Sequence, residues 1–379
     1  MQSPKEDVGV IIEEDGRVKD SDLTAWMSDN TFFDAEESSY TASEVDNAVV
    51  LNASSIQNDI RVIIMNAKGR PVTGEAFMIE INGAGKYRDT DKDGIIYVDG
   101  LTPGEYGIRL TDSGAYTGPG SELVCQVKAD IEYKAIKDIS YLIKTEADID
   151  AELEDTEVYE AAVDTTGSSS VRTDENARFG IDVSKWNKEI DWEKVKNAGV
   201  EYAIIRCGYR GSKSGAIVVD PYFAENMRGA ADAGIPVGVY FFTQAVNEVE
   251  AVEEASAVLS LIRQYKLTYP VFIDTEGSGG GRADGVEVRM RTKICQAFCE
   301  TIRSGGYDAG IYAARNWFNK RLDMTGLSLD NYIWLAEYAD KPEFTGKYQM
   351  WQYSSAGRIN GIEGRVDMNL SYISVDGDD

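Results

Sequence analysis

Read only as apolar and polar positions, the chain changes rhythm three times. Residues 1–57 mix acids, Ser, Thr and Asn with isolated apolar pairs such as "VVLNASS". That is too sparse to fill a core, and it predicts irregular structure with at most a strand or two. From 58 to 145 short alternating runs take over, among them "DIRVIIMNAKGRPV", "EAFMIEI", "GIIYVDGL" and "GEYGIRL", separated by the turn clusters "NAKGRP", "DKDG" and "TPGEY". Period-two runs punctuated at this spacing predict a small all-β sandwich. Residues 146–178 carry a run of acids and then "TTGSSS", the composition of a linker.

From Phe179 to residue 379 strand-like and helix-like patterns alternate. The strand-like runs are "RFGIDVSKW", "YAIIRCGYR", "PVGVYFFT", "PVFIDTE", "DAGIYAA", "YIWLAEY", "YQMWQYS" and "RVDMNLSYI". Helical patterns separate the first five: "DWEKVKNAG", "PYFAENMRGAADAG", "EVEAVEEASAVLSLIRQY" and "VEVRMRTKICQAFCETIRSGG". Strand, helix, strand in this order predicts parallel β/α units. The expected fold is therefore α/β: a TIM-like (β/α) barrel whose helices are missing after the later strands, preceded by the sandwich.

Charge narrows the function. Of 65 acidic residues 37 precede Phe179, against 16 of the 38 Lys and Arg, so most of the net charge of -27 lies upstream of the barrel. Such a balance excludes nucleic acid as a partner, because phosphate neutralisation needs clustered cations. No apolar stretch is long enough to span a membrane. The opening "MQSPKEDVGVIIEEDG" lacks the basic and apolar blocks of a signal peptide, so the chain is either cytoplasmic or numbered from after a removed export segment.

Four cysteines without a C-x-x-C, and no histidine at all, read as buried free thiols and predict no metal site. The missing histidine also removes Ser-His and Cys-His mechanisms, leaving carboxylates, tyrosines and lysines for any catalysis. "DTDKDG" has the look of a calcium loop, but Gly100 stands where a bidentate Glu is required, so it reads as a polar hairpin turn. "GSGGG" at 277–281 follows a strand yet opens no phosphate fingerprint, and reads as a flexible loop.

Chemistry in parallel barrels collects at the C-terminal ends of the strands. Those ends hold Asp182, Arg206 with Tyr209, Tyr240, Asp274 with Glu276, Tyr312, Trp334 with Glu337, Gln352, and Asp367. Side chains two apart on a strand share a face, so Asp274 and Glu276 are predicted to stand together, with the Asp274 charge raising the pKa of Glu276. Acids interleaved with aromatic faces suit a neutral polar ligand such as a sugar. The residues alone leave plainer readings open: Asp182 and Asp367 as partners of loop amides, the aromatics as core, and Arg206 as the ion-pair partner of one of the acids.

"FGIDVSKWN", "DPYF", "GVYFF", "FIDTEG", "WQYS" and "VDMN" together resemble the lysozymes of glycoside hydrolase family 25, across about Phe179 to Ile373. The resemblance implies cleavage of the β-1,4 bond between N-acetylmuramic acid and N-acetylglucosamine in peptidoglycan glycan strands, without a cofactor. It implies four catalytic acids, Asp182, Asp274, Glu276 and Asp367, with Glu276 as general acid and Asp274 as its partner. It turns Tyr240 and Trp334 toward sugar contact, and Arg206, Tyr312 and Gln352 complete the expected substrate-binding set. Adjacent carboxyls on one strand, rather than facing pairs, favour substrate-assisted retention. Where family members often have histidines, this chain has Lys185 or Trp186 and Phe241.

Upstream, the order of "DKDG", alternating residues and "GLTPGEY" resembles prealbumin-like or Cna B-type repeats, which implies a spacer outside a Gram-positive cell. The expectation is then an extracellular or cell-surface muramidase, with no oligomeric state specified. Its rivals are a catalytically silent lectin-like barrel and another glycosidase such as a chitinase, whose longer "DxxDxDxE" strand is absent.

Overall fold

The structure, a computed structural model, describes residues 47–66, 71–90, 92–136, 139, 142–146 and 177–375. The expectations for 1–46, for Asp91 of the hairpin turn and for the linker from 147 to 176 lie outside the described residues. The chain divides into two compact units, one carried mainly by Ala25–Glu132 and the other mainly by Leu142–Asp379.

In the smaller unit, β1 (Val49–Ser54), β2 (Ile60–Asn66) and β5 (Ile95–Val98) form one antiparallel sheet. β3 (Met78–Ile81), β4 (Gly85–Arg88), β6 (Gly104–Asp112) and β7 (Leu123–Val127) form a second. The period-two pattern decides which face is buried. Ile79 and Ile81 are buried while Glu80 is exposed, and Cys125 and Val127 are buried on either side of exposed Gln126. They join Ile60, Val62 and Ile64 of β2 and Phe77 in one apolar core. Each such side chain stabilises the unit by roughly 1.5–3 kcal/mol on burial.

The two ends of the "DTDKDG" stretch are tied together. The Asp89 carboxylate accepts from the amides of Lys92 (2.8 Å) and Gly94 (2.9 Å). Gly94 has φ +81, and a Cβ there would sit 2.7 Å from the carbonyl oxygen of Val72. Two expected boundaries shift. Val49–Ser54 lies within 1–57, expected to hold at most a strand or two outside the sandwich, and pairs along its whole length with β2. Ile143–Lys144, placed in the sandwich, forms a short strand (β8) parallel to an edge strand of the larger unit.

The larger unit contains β9 (Arg178–Val183), β10 (Tyr202–Arg210), β11 (Ile217–Val219), β12 (Val237–Phe242), β13 (Val271–Asp274), β14 (Ala309–Ala314), β15 (Tyr332–Ala336), β16 (Met350–Gly357) and β17 (Val366–Ser371). Without β11, which folds back on β10 as an unforeseen hairpin, these are the eight predicted strands. Seven run parallel in the order 9-10-12-13-14-15-16, and β17 pairs antiparallel with both β16 and β9, closing an eight-stranded barrel.

The reversal of β17 corrects one expectation. Asp367 is near the strand's beginning, not its C-terminal end, and reaches the same rim only because the strand runs backwards: it is registered opposite Asp182. Helices α1 (Trp192–Asn197), α2 (Phe223–Asp232), α3 (Glu248–Ile262) and α4 (Val288–Ser304) follow the predicted patterns, and α5 (Arg315–Lys320) adds a short turn after β14. Asp191 and Asn247 cap α1 and α3 by accepting from the amides of Lys194 and Glu250.

All nine residues of β10 are buried, as expected of a strand covered on both faces. The barrel interior is packed with Tyr202, Ile204, Tyr269, Phe272, Tyr312, Trp334 and Met350. Tyr202 and Tyr269 stack with centroids 4.5 Å apart, and Tyr202 lies where a Cβ on Gly180 would be 2.4 Å from its ring. Burial also draws in charge. Arg210 donates to Glu254 (2.8 Å) and Glu253 (2.8 Å), both buried on α3. Burial raises the Glu254 pKa to about 7 against the opposing pull of Arg210.

Candidate active site

The open rim of the barrel forms a cleft of about 830 Å³, and all nine predicted site residues line it. Asp274 ends β13, and the ladder continues past it, with the Thr243 amide donating to the Asp274 carbonyl (2.9 Å) and the Thr275 amide to the Tyr312 carbonyl (3.1 Å). The alternation therefore persists. Asp274 and Glu276 face the cleft, while buried Thr275 accepts from Arg291 (3.3 Å) on α4.

Asp182, on β9, is fixed from two sides. Its Oδ2 accepts from Gln352 Nε2 (2.9 Å) and Asn369 Nδ2 (2.7 Å). The Gln352 carbonyl oxygen in turn accepts from Tyr312 (2.8 Å) and Tyr338 (3.0 Å), and Asn369 Oδ1 accepts from Trp334 Nε1 (2.8 Å). Gln352 and Trp334, expected to touch substrate, thus have these polar atoms engaged in holding Asp182. Trp334 is only 1% exposed and forms the floor beneath Tyr240 and Tyr312, with ring centroids 6.0 and 4.6 Å away.

The electrostatics follow from burial. Asp274 lies well above the ordinary carboxylate range, first because it is buried and then because Glu276 and Asp182 are negative, with Arg206 opposing. Burial, reinforced by Asp182, pushes Glu276 up to about 7. Asp182 rises to about 6 through burial, restrained by its bonds to Asn369, Gln352 and Asp367. Such a cluster keeps protons near neutral pH, which general acid catalysis requires. One oxygen stands out: Asp274 Oδ1 is buried and has no hydrogen-bond partner among the described residues.

Arg206 does form an ion pair, but its partner is not one of the four acids. Its Nε donates to buried Asp220 (2.7 Å), which also accepts from the amides of Lys185 (2.9 Å) and Tyr222 (3.0 Å). Glu337 leaves the cleft altogether, pairing with Arg315 (3.0 Å). The "GSGGG" loop is organised by Asp284, which accepts from the amides of Ser278 (2.9 Å) and Gly280 (2.7 Å). All four cysteines are free and buried.

Sequence reasoning missed Asn369 and Tyr338. Asn369 was within reach of the pattern, since it lies two residues beyond Asp367 on the same face of a strand. Tyr338 follows β15 in irregular chain, where no period predicts its direction.

A closed β/α barrel whose rim gathers buried, proton-retaining carboxylates over an aromatic floor is the build of a hydrolase that works by carboxylate acid-base chemistry. Comparison with known proteins narrows that class. The family model for Glycosyl hydrolases family 25 matches residues 181–362, and the barrel unit belongs to that family. Among curated relatives, the autolytic lysozyme of Clostridium acetobutylicum is 28% identical over 191 residues, covering 50% of this chain and 54% of that protein. Lysozyme M1 of Streptomyces globisporus is 30% identical over 200 residues, covering 50% of this chain and 66% of that protein. The chain thus spans little more than half the length of the clostridial relative. A bacterial lysozyme structure from Streptomyces coelicolor aligns with TM-score 0.44 and 25% identity, over 53% of this chain and 94% of that one.

Proposed function

We propose that the protein is a peptidoglycan hydrolase that cleaves the β-1,4 bond between N-acetylmuramic acid and N-acetylglucosamine with retention. The observation that carries the mechanism is the unpartnered Oδ1 of Asp274 beside Glu276. An acetamido N–H of the bound sugar supplies the missing donor, which favours the ionised form of Asp274 and leaves the shared proton on Glu276.

Glu276 then protonates the leaving oxygen while the acetamido oxygen attacks the anomeric carbon, closing an oxazolinium ring. In the second half Glu276 takes a proton from water, which attacks the anomeric carbon from the face the leaving group vacated and displaces the acetamido oxygen, so the configuration is retained. Asp182 is poorly suited to be a nucleophile, because its Oδ2 already accepts two hydrogen bonds. Its charge instead balances the oxocarbenium-like transition state.

The test is release of reducing ends from purified peptidoglycan by wild type and by Glu276→Gln, with the product anomer followed by NMR. General acid catalysis alone is worth roughly 10²–10⁴ in rate, so the variant should fall by at least that much. A sugar ester trapped on Asp182 or Asp274 by a fluorinated substrate would sink the substrate-assisted route. Wall binding without cleavage by wild type would identify a lectin-like barrel. Under the same reading the fold is TIM-like, the smaller unit is a prealbumin-like spacer, and the protein acts outside the cell.

A further inference from the structure

One end of the cleft has a different chemistry from its floor. There it is lined by Trp186, Lys188 and Arg365 along with Glu363, all exposed. Trp186 is 56% exposed, the kind of open aromatic surface that a sugar ring covers. The Lys185 ammonium lies 5.0 Å from its ring centroid and is itself paired with Glu146, so one indole face is occupied and fixed.

The two walls of this end are joined. Asn187 Nδ2 donates to the Arg365 carbonyl (3.1 Å), the Asp191 amide donates to the Gly361 carbonyl (2.9 Å), and Ile190 bridges Ile362. Lys188 holds φ +54, an uncommon backbone for a lysine that presents its side chain at a sharp corner after the 3-10 turn 185–187.

Charge distinguishes the two ends. On the floor stand Asp182, Asp274, Glu276 and Asp367, and the cation there, Arg206, is bound to Asp220. Lys188 and Arg365, by contrast, have no ion-pair partner among the described residues, although Glu363 shares their rim. A neutral glycan gives such cations nothing to bind, whereas the peptide stems of peptidoglycan carry carboxylates.

Resting on the function proposed above, we propose that Trp186, Lys188 and Arg365 form a subsite in which the indole carries a sugar ring and the two cations hold the carboxylates of its stem peptide. The enzyme then prefers glycan bearing anionic stems over the same glycan stripped of peptide. Two exposed charge contacts of this kind are expected to set a preference of roughly 3- to 10-fold, which weakens with salt.

The experiment compares kcat/KM for intact peptidoglycan and for amidase-stripped glycan strands, with wild type and Lys188→Gln/Arg365→Gln, at low and high salt. The expected result is a wild-type preference for stems that falls toward one in the double variant and at high salt, chiefly through KM. Equal use of both glycans by wild type, or a preference that survives the double substitution, overturns the subsite. If wild type cleaves neither glycan, it is the hydrolase reading that fails. The subsite is then judged by the dissociation constants of the two glycans, where tighter binding of stems that is lost in the double variant supports it and equal affinity overturns it.

Discussion

Replacing Glu276 by Gln should abolish activity and, unusually for a change at a half-buried position, stabilise the protein. The displacement of its pKa from 4.5 to about 7 is a free-energy statement, at about 1.4 kcal/mol per pH unit. The folded state binds this proton more tightly than the unfolded chain, so stability falls as pH rises from about 4.5 to about 7. The full penalty is about 3 kcal/mol above that window and nil below it. Part of this belongs to neighbouring Asp182, whose charge holds Glu276 up.

Glutamine keeps the shape and cannot ionise. The variant should therefore match wild type at pH 4 and exceed it by about 1–3 kcal/mol at pH 8. Denaturant unfolding followed by tryptophan fluorescence, with Trp334 lying in the barrel core next to the site, measures both. A variant no more stable than wild type at pH 8 would refute the claim that the cleft holds Glu276 under electrostatic and solvation stress.

Three further outcomes are expected. Asn369→Ala removes a donor from Asp182 and the acceptor of Trp334 Nε1, costing about 1–3 kcal/mol and lowering kcat, as unfolding curves and reducing-end release will show. Arg210→Met leaves Glu253 and Glu254 uncompensated, for a loss of about 3–5 kcal/mol at pH 8. The loss should shrink at pH 5, where Glu254, already raised to about 7, takes a proton; thermal melts equally lowered at both pH values would contradict this. Gly94→Ala forces a side chain onto φ +81 against the Val72 carbonyl, so the smaller unit should lose about 1–3 kcal/mol, read by calorimetry, while reducing-end release stays at the wild-type rate.

The legible parts of this chain were those governed by local period. Barrel strands buried on both faces read as apolar runs, and alternation placed Asp274 and Glu276 together with Thr275 turned away. Strand direction has no local signature, so the reversal of β17 was hidden, although its position and its aspartate were not. Partnerships across distance were equally silent. Arg206 finds Asp220 14 residues on, Lys185 finds Glu146 39 residues back, and Arg210 meets its glutamates more than 40 residues away. For Val49–Ser54, apolar residues scattered among acids and amides gave too weak a pattern, and pairing with β2 supplied what propensity did not.

The way the ring closes bears on how the chain comes to fold. Asn369 and the Asp182 it orients are 187 residues apart, and β17 occupies the gap between β16 and β9. During synthesis, both of those strands present unpaired backbone until Val366–Ser371 has emerged, which exposes two edges to wrong partners. Loop closure over such a distance makes this a slow step. The same delay has a protective side: a nascent or broken chain that lacks this last stave loses one of the two donors that fix Asp182 and has no Asp367, so the hydrolytic centre is complete only once the barrel is whole.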